Sequence, residues 1–241
     1  GVSLANGIRD YNMISNVLCK LTNNSDGERM STSGIGFGPY IITNKHLFRS
    51  NNGELEVITQ HGQFLVKNVT ALQLHLIPDH DMLLIKMPKD FPPFPQRLKF
   101  RMPMREERVC LVSTNFQTKS LSSMVSESSV VVPMPNSTFW RHWISTKDGQ
   151  CGLPLVATKD GFIVGIHCGS NVMTSNHFTH MPEKFQDILM SGATLDWVKG
   201  WKFNINAISW GNLKIKDSQP EDPFVTSKII QDLVDETIVV Q

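Results

Sequence analysis

The stretch Asp148-Gly149-Gln150-Cys151-Gly152-Leu153-Pro154 holds a cysteine between two glycines, ahead of the apolar run Leu155-Val156-Ala157. Cysteine is intrinsically nucleophilic, but a free thiol is only slightly ionised near neutral pH, so it needs a base. Glycines on either side open backbone conformations closed to other residues. They allow the N–H groups of Gly149 and Cys151 to converge where an oxyanion would develop. The same loop would also suit a tight turn carrying a buried structural cysteine, so the partners decide between the two. Candidate partners are His46, an aspartate at position 79 or 81, and His167.

The elements around these residues are readable. In Gly34-Ile35-Gly36-Phe37-Gly38-Pro39-Tyr40-Ile41-Ile42-Thr43-Asn44-Lys45-His46 the glycine spacing fits neither phosphate-binding pattern. It reads as two strands about a turn at Gly38-Pro39, with His46 delivered at the end of the second. Asp79 and Asp81 both precede the apolar strand pattern Met82-Leu83-Leu84-Ile85, and spacing alone does not separate them. The chain order His, Asp, Cys is the order of base, carboxylate and nucleophile in chymotrypsin-type folds, where the first two sit on one β-barrel and the nucleophile on another. In that arrangement His46 takes the thiol proton, the aspartate fixes the imidazole tautomer, and Gly149 and Cys151 hold the oxyanion. His167 closes the strand Phe162–His167 after a turn at Lys159-Asp160-Gly161, one hairpin beyond Cys151. A neutral imidazole there, with the Thr146 hydroxyl, predicts a pocket selective for a Gln side chain.

Many short strands separated by turns predict an all-β fold of two antiparallel barrels. The expected organisation is a first barrel over 1–118, a second over 119–215 and a C-terminal tail over 216–241. Asn23–Gly27 reads as a turn, and Glu183–Met190 and Ala193–Trp201 as short helices. The 241 residues carry a net charge of +1, so no bulk attraction to nucleic acid or anionic membrane is built in. Hydrophobic content is 40%, without a run of 18 apolar residues that would mark a membrane-spanning helix. The four cysteines, Cys19, Cys110, Cys151 and Cys168, form no C-x-x-C pair, which argues for free thiols rather than a zinc knuckle. Two other readings compete with a thiol endopeptidase: an RNA-binding module, and a metal hydrolase using His, Asp and Cys.

Six segments tip the balance: Gly34–Arg49, Lys89–Arg101, Ser113–Ser123, Phe139–Ile144, Thr146–Leu155 and Asp160–His167. Together they resemble the nuclear inclusion a proteases of potyviruses, the family of tobacco etch virus protease, over nearly the whole chain. The resemblance implies a chymotrypsin-like cysteine protease, without cofactor or metal, that cuts a viral polyprotein after Gln and before a small residue. It selects Asp81 over Asp79 as the partner of His46 and Cys151. It assigns pocket roles to Thr146, Asp148 and His167, substrate pairing to Ser170 and Asn171, distal subsites to Asn176 and His177, and closure of the second subsite to Trp210. Leu153 and Cys168 stand where the tobacco etch enzyme has Ser, and Val172–Phe178 is one residue shorter. The last six residues, Glu236-Thr237-Ile238-Val239-Val240-Gln241, resemble a self-cleavage site, with Glu236, Val239 and Gln241 at its recognition positions. The implied partners are the polyprotein substrate, the genome-linked protein upstream, the polymerase downstream and, weakly, RNA; no membrane is implied. The implied location is the host cytoplasm and nucleus.

Overall fold

The computed structural model describes residues 10–117, 123–171, 175–204, 215–216 (backbone only) and 238–241. After a short helix α1 (Asn12–Ser15), the strands are β1 (Leu18–Ser25), β2 (Glu28–Phe37), β3 (Tyr40–Thr43), β4 (Glu54–Thr59), β5 (Gly62–Val66), β6 (Gln73–Leu76) and β7 (Leu83–Lys86). They form one antiparallel sheet in the order β5-β4-β1-β2-β3-β7-β6. The second sheet holds β8 (Arg108–Thr114), β9 (Ser123–Val125), β10 (Ser129–Val130), β11 (Val132–Pro133), β12 (Phe139–His142), β13 (Pro154–Ala157), β14 (Ile163–Asn171), β15 (Ser175–His180), β16 (Ile215–Lys216) and β17 (Ile238–Val240). Its main path runs β10-β8-β13-β14-β15-β12-β11, with β9 on β8 and β17 lying between β14 and β16. Helix α2 (Phe185–Ser191) follows β15.

Sequence pattern explains most of this. In β4, Leu55 and Val57 are buried while Glu54 is exposed, the period of a strand with one dry face. Strand β14 is buried at seven successive positions from Ile163 because it runs between β13 and β15 with both faces covered. The largest apolar cluster is shared: Ile35, Phe37, Ile42 and Leu84 of the first sheet pack with Leu111, Leu155, Ile166 and Phe178 of the second. This common core fixes the two halves against each other along the line where the site forms.

The last residues of the expected tail, Ile238–Val240, add a strand to the second sheet. Three expectations shift. The change of sheet falls between Lys86 and Arg108, ahead of the 118/119 boundary, because β8 pairs with β13. The Asn23–Gly27 turn is only Asp26-Gly27. Asn23 stays in β1 because its buried amide donates to the carbonyls of Leu47 (2.9 Å) and Ser50 (2.5 Å), giving a polar residue a strand position. Ala193–Trp201 is not a helix. Gly192 ends α2 at φ 63°, Val198 bridges to Leu74, and Trp197 packs on Tyr40 with ring centroids 5.6 Å apart.

Candidate active site

His46 sits in a 3₁₀ turn, Lys45–Phe48, that begins directly after β3. Its Nδ1 lies 2.7 Å from Asp81 Oδ2, and its backbone N–H donates to Asp81 Oδ1 at 3.2 Å. Asp81 enters from the loop just before β7 and is fully buried. Burial alone would push its carboxyl up. The His46 imidazole, the hydrogen bonds from His46 and the thiol of Cys168 overcome this and hold it below its ordinary value. Cys168 Sγ donates to Asp81 Oδ2 at 3.0 Å. Asn44 straps the carboxylate to β14, its amide reaching Asp81 Oδ2 at 3.4 Å and the His167 carbonyl at 3.2 Å.

The ligand-capable atoms of His46, Asp81 and Cys168 lie within 4.8 Å of one another, the metal-hydrolase pattern. Of these atoms, His46 Nδ1 and Cys168 Sγ already hydrogen-bond one carboxylate oxygen of Asp81.

Cys151 stands in the loop before β13, buried like the other three cysteines. Burial, reinforced by the Asp81 charge, pushes its thiol well up, and the nearby Arg49 guanidinium opposes this. Its Sγ lies 3.7 Å from the Ser31 carbonyl oxygen, to which the thiol donates. His46 Nε2 is buried without a hydrogen-bond partner among the described residues. The loop needs its glycines: Gly149 has φ 89° and Gly152 φ 87°. At Gly152 a Cβ would drive into the Ser33 carbonyl, while the Gly152 N–H donates to the His167 carbonyl at 2.8 Å.

The end of the chain lies across this site. Strand β17 pairs antiparallel with β14, Val240 opposite Gly169 and Val239 opposite Ser170. Gln241 N–H donates to the Cys168 carbonyl at 3.2 Å, and Gly149 N–H donates to the Gln241 carbonyl oxygen at 2.5 Å. The Gln241 side chain enters a pocket where its Oε1 accepts from Thr146 Oγ1 at 2.7 Å and from His167 Nε2 at 2.6 Å. Ile238 and Val240 are buried among Met134, Phe139, Cys168 and Phe203. Beside Gln241 a cleft of about 520 Å³ is lined by Glu28–Ser31, His46, Arg49, Asp148 and Gly149.

Sequence reasoning thus selects residues that the fold brings together: His46 with Asp81, and Thr146, His167 and Gly149 with Gln241. Asp148 is exposed at the rim, and Ser170 pairs as expected through its backbone. Asn171 pairs with Ser175 across the β14–β15 hairpin. Two expected distal residues turn inward. Asn176 donates its amide to the Ile144 carbonyl, and His177 is buried at 1% exposure. Trp210 and Glu236 lie outside the described residues. Spacing gave no signal for His142, Asn44 or Phe203. A lone His on an apolar strand, a strand-end Asn and a buried Phe look structural in a sequence.

Two sheets sharing a core, with His and Asp from the first and Cys from the second, define a chymotrypsin-like cysteine endopeptidase. The model of peptidase family C4 matches residues 1–231, and the chain belongs to that family. It is 55% identical over 233 residues to the genome polyprotein of Turnip mosaic virus (strain Japanese), covering 96% of this chain and 7% of that polyprotein. Among solved structures, the C151A mutant of tobacco etch virus protease superimposes with a TM-score of 0.88 at 54% identity, over 97% of this chain and 98% of that one. Catalytically active tobacco etch virus protease complexed with product gives 0.83 at 60% identity, over 86% and 91% of the two chains.

Proposed function

We propose that the chain processes a viral polyprotein by cutting after Gln and before a small residue, through a thioester on Cys151. One observation carries this reading: Gln241 occupies the pocket as the acyl side of a cut bond would. Its side chain is held by Thr146 and His167, and its carbonyl is on the Gly149 N–H. The geometry supports the following steps. The thiol swings from the Ser31 carbonyl toward His46 Nε2, which takes its proton as sulfur attacks the Gln carbonyl carbon. Asp81 holds Nδ1–H and balances the imidazolium that forms. The oxyanion is stabilised by the loop N–H groups of Gly149 and Cys151. His46 returns the proton to the departing nitrogen as the C–N bond breaks. Water then attacks the thioester carbonyl as His46 takes its proton; the C–S bond breaks, the Gln acid leaves, and His46 returns the proton to the Cys151 sulfur. The residue after the cut enters the cleft lined by Ser31, His46 and Arg49.

The backbone pairing with Gly169 and Ser170 recognises an extended peptide by adding a strand. The apolar cluster around Ile238 and Val240 favours aliphatic residues in the second and fourth positions before the cut. By resemblance, the genome-linked protein and the polymerase flank the chain, and it works in host cytoplasm and nucleus. The test is a fusion of Glu236–Gln241, Ser and a reporter domain. Cleavage is expected between Gln and Ser, lost with Cys151→Ala in the protease and with Gln241→Ala in the fusion. An intact fusion, under conditions where another polyprotein site is cut, would overturn the assignment.

A further inference from the structure

The Gln pocket is one end of a longer hydrogen-bond chain. Ile144 N–H, which can only donate, points at His142 Nδ1 at 3.1 Å. That nitrogen must therefore be the unprotonated one, which leaves the proton of a neutral ring on Nε2. His142 Nε2 lies 3.0 Å from His167 Nδ1 and donates to it. The proton of His167 is thereby placed on Nε2, which faces Gln241 Oε1 at 2.6 Å. Both rings are fully buried, at 0% exposure, and stand edge to face with centroids 5.1 Å apart.

We propose that His142 is a positioning residue for selectivity: its N–H caps His167 Nδ1 and so fixes His167 as a neutral Nε2–H donor that reads the Gln carbonyl. The inference deepens the Gln-pocket reading and rests on it. Without the cap, His167 can place its proton on Nδ1 and present a lone pair to the carbonyl of Gln, or take a second proton and become a cation. The first form repels that carbonyl oxygen and forces the amide to turn away from the Thr146 donor, and the second welcomes the carboxylate of Glu. The capped, neutral pocket does neither. It offers Thr146 and His167 as two uncharged donors to one oxygen, and a carboxylate entering it would be buried without a counter-charge. The surroundings favour the neutral state. Burial lowers the pKa of both rings; His167 and His177 lower His142 further, and His46 lowers His167 while the His167 hydrogen bond to Gln241 works the other way.

The test uses the whole chain. In ¹⁵N-labelled Cys151→Ala protein, long-range ¹H–¹⁵N spectra at neutral pH are expected to show His142 and His167 neutral with Nε2 protonated. Kinetics then compare His142→Phe, which keeps ring volume but lacks the donor, with His142→Gln, whose amide can both accept from Ile144 and donate to His167. The Phe variant is expected to raise KM for a Gln peptide and to lower the Gln-over-Glu ratio roughly tenfold or more, the scale of one unmatched buried donor. The Gln variant is expected to recover most of both. An unchanged ratio in His142→Phe, or a parent spectrum with His167 protonated on Nδ1 or on both nitrogens, would overturn the proposal. If the Phe variant does not fold, the parent spectrum and the Gln variant still decide. A parent that cuts Gln and Leu peptides equally would refute the pocket reading itself, a separate outcome.

Discussion

Replacing the Gln of a substrate by Leu tests the pocket most directly. The two side chains are similar in size, so little packing changes, but the oxygen that accepts two hydrogen bonds disappears. His167 Nε2–H is the costlier loss. The ring is fully buried, and its other nitrogen is occupied by His142, so it cannot turn to another partner. A buried donor left unmatched costs about 1–3 kcal/mol. Thr146 is half-buried, and its hydroxyl can rotate toward water, so its loss is near the lower end, about 1 kcal/mol. The total, roughly 2–4 kcal/mol, lowers kcat/KM by about 30- to 1,000-fold at 1.4 kcal/mol per decade. The assay is initial-rate cleavage of two peptides, Glu-Thr-Ile-Val-Val-Gln-Ser and its Leu counterpart, followed chromatographically. In His167→Ala only the Thr146 bond remains, so the Gln-over-Leu ratio should collapse to about 10 or less. Peptides cut within fivefold of each other by the parent, or a ratio untouched by His167→Ala, would refute the reasoning.

Other expectations follow from the same geometry. Asp81→Asn removes the group that holds His46 Nδ1–H and is expected to cost about 10⁴ in kcat, as for serine triads, with the fold kept; a loss below tenfold would count against it. Cys168→Ala removes only one of several bonds to Asp81 and is expected to cost less than about tenfold in kcat, while Cys168→Ser matches or exceeds the parent; an effect as large as that of Asp81→Asn would refute this ranking. Gly152→Ala is expected to destabilise the fold by about 2–4 kcal/mol in urea unfolding, because its backbone is left-handed and the Cβ meets the Ser33 carbonyl; a variant as stable as the parent would show that the loop yields. Stability should also fall with acid. Burial lowers His167 and His80 to about 4 and His177 to about 3, so between about 6.5 and 4 the unfolded chain binds protons that the folded chain refuses. Stability is thus fully present above about 6.5, and each histidine removes up to about 1.4 kcal/mol per pH unit below it. Equal unfolding free energies at pH 7 and pH 5 would contradict this.

What the sequence shows and hides follows from range. Cys151, His46 and the turn glycines are legible because loop chemistry is local: a nucleophile between glycines and a His at a strand end announce themselves within a few residues. The Asp79–Asp81 ambiguity is not local. It is resolved by which carboxylate the fold buries against His46, and Asp81 is the buried one. His142 is illegible for the same reason. One partner, Ile144 N–H, is only two residues on, but His167 Nδ1, which gives the ring its role, lies on another strand, and nothing in Phe139–Ile144 marks His142 apart from a core residue. The expected helix over Ala193–Trp201 fails because the Leu74 backbone, far away in sequence, offers Val198 a bridge in both directions at 2.8 Å.

One irregularity ties the parts of the site together. In the β14–β15 ladder His167 pairs with Phe178 and Gly169 with His177, so Cys168 is an extra residue, a bulge. In a regular strand, successive side chains point to opposite faces and the backbone groups are consumed by the neighbours. The bulge frees one residue from that rule. Cys168 can then aim its thiol at Asp81 and leave its carbonyl for the Gln241 N–H. His167, immediately before it, keeps its ring in the pocket and its carbonyl on Gly152 N–H and Asn44. Gly169 and Ser170, immediately after it, pair with Val240 and Val239. Four consecutive residues therefore brace the carboxylate, read the Gln, anchor the nucleophile loop and align the peptide. Because they share one strand, the pocket that holds the Gln241 side chain and the carbonyl that anchors the nucleophile loop are kept at a separation set by backbone geometry rather than by flexible side chains.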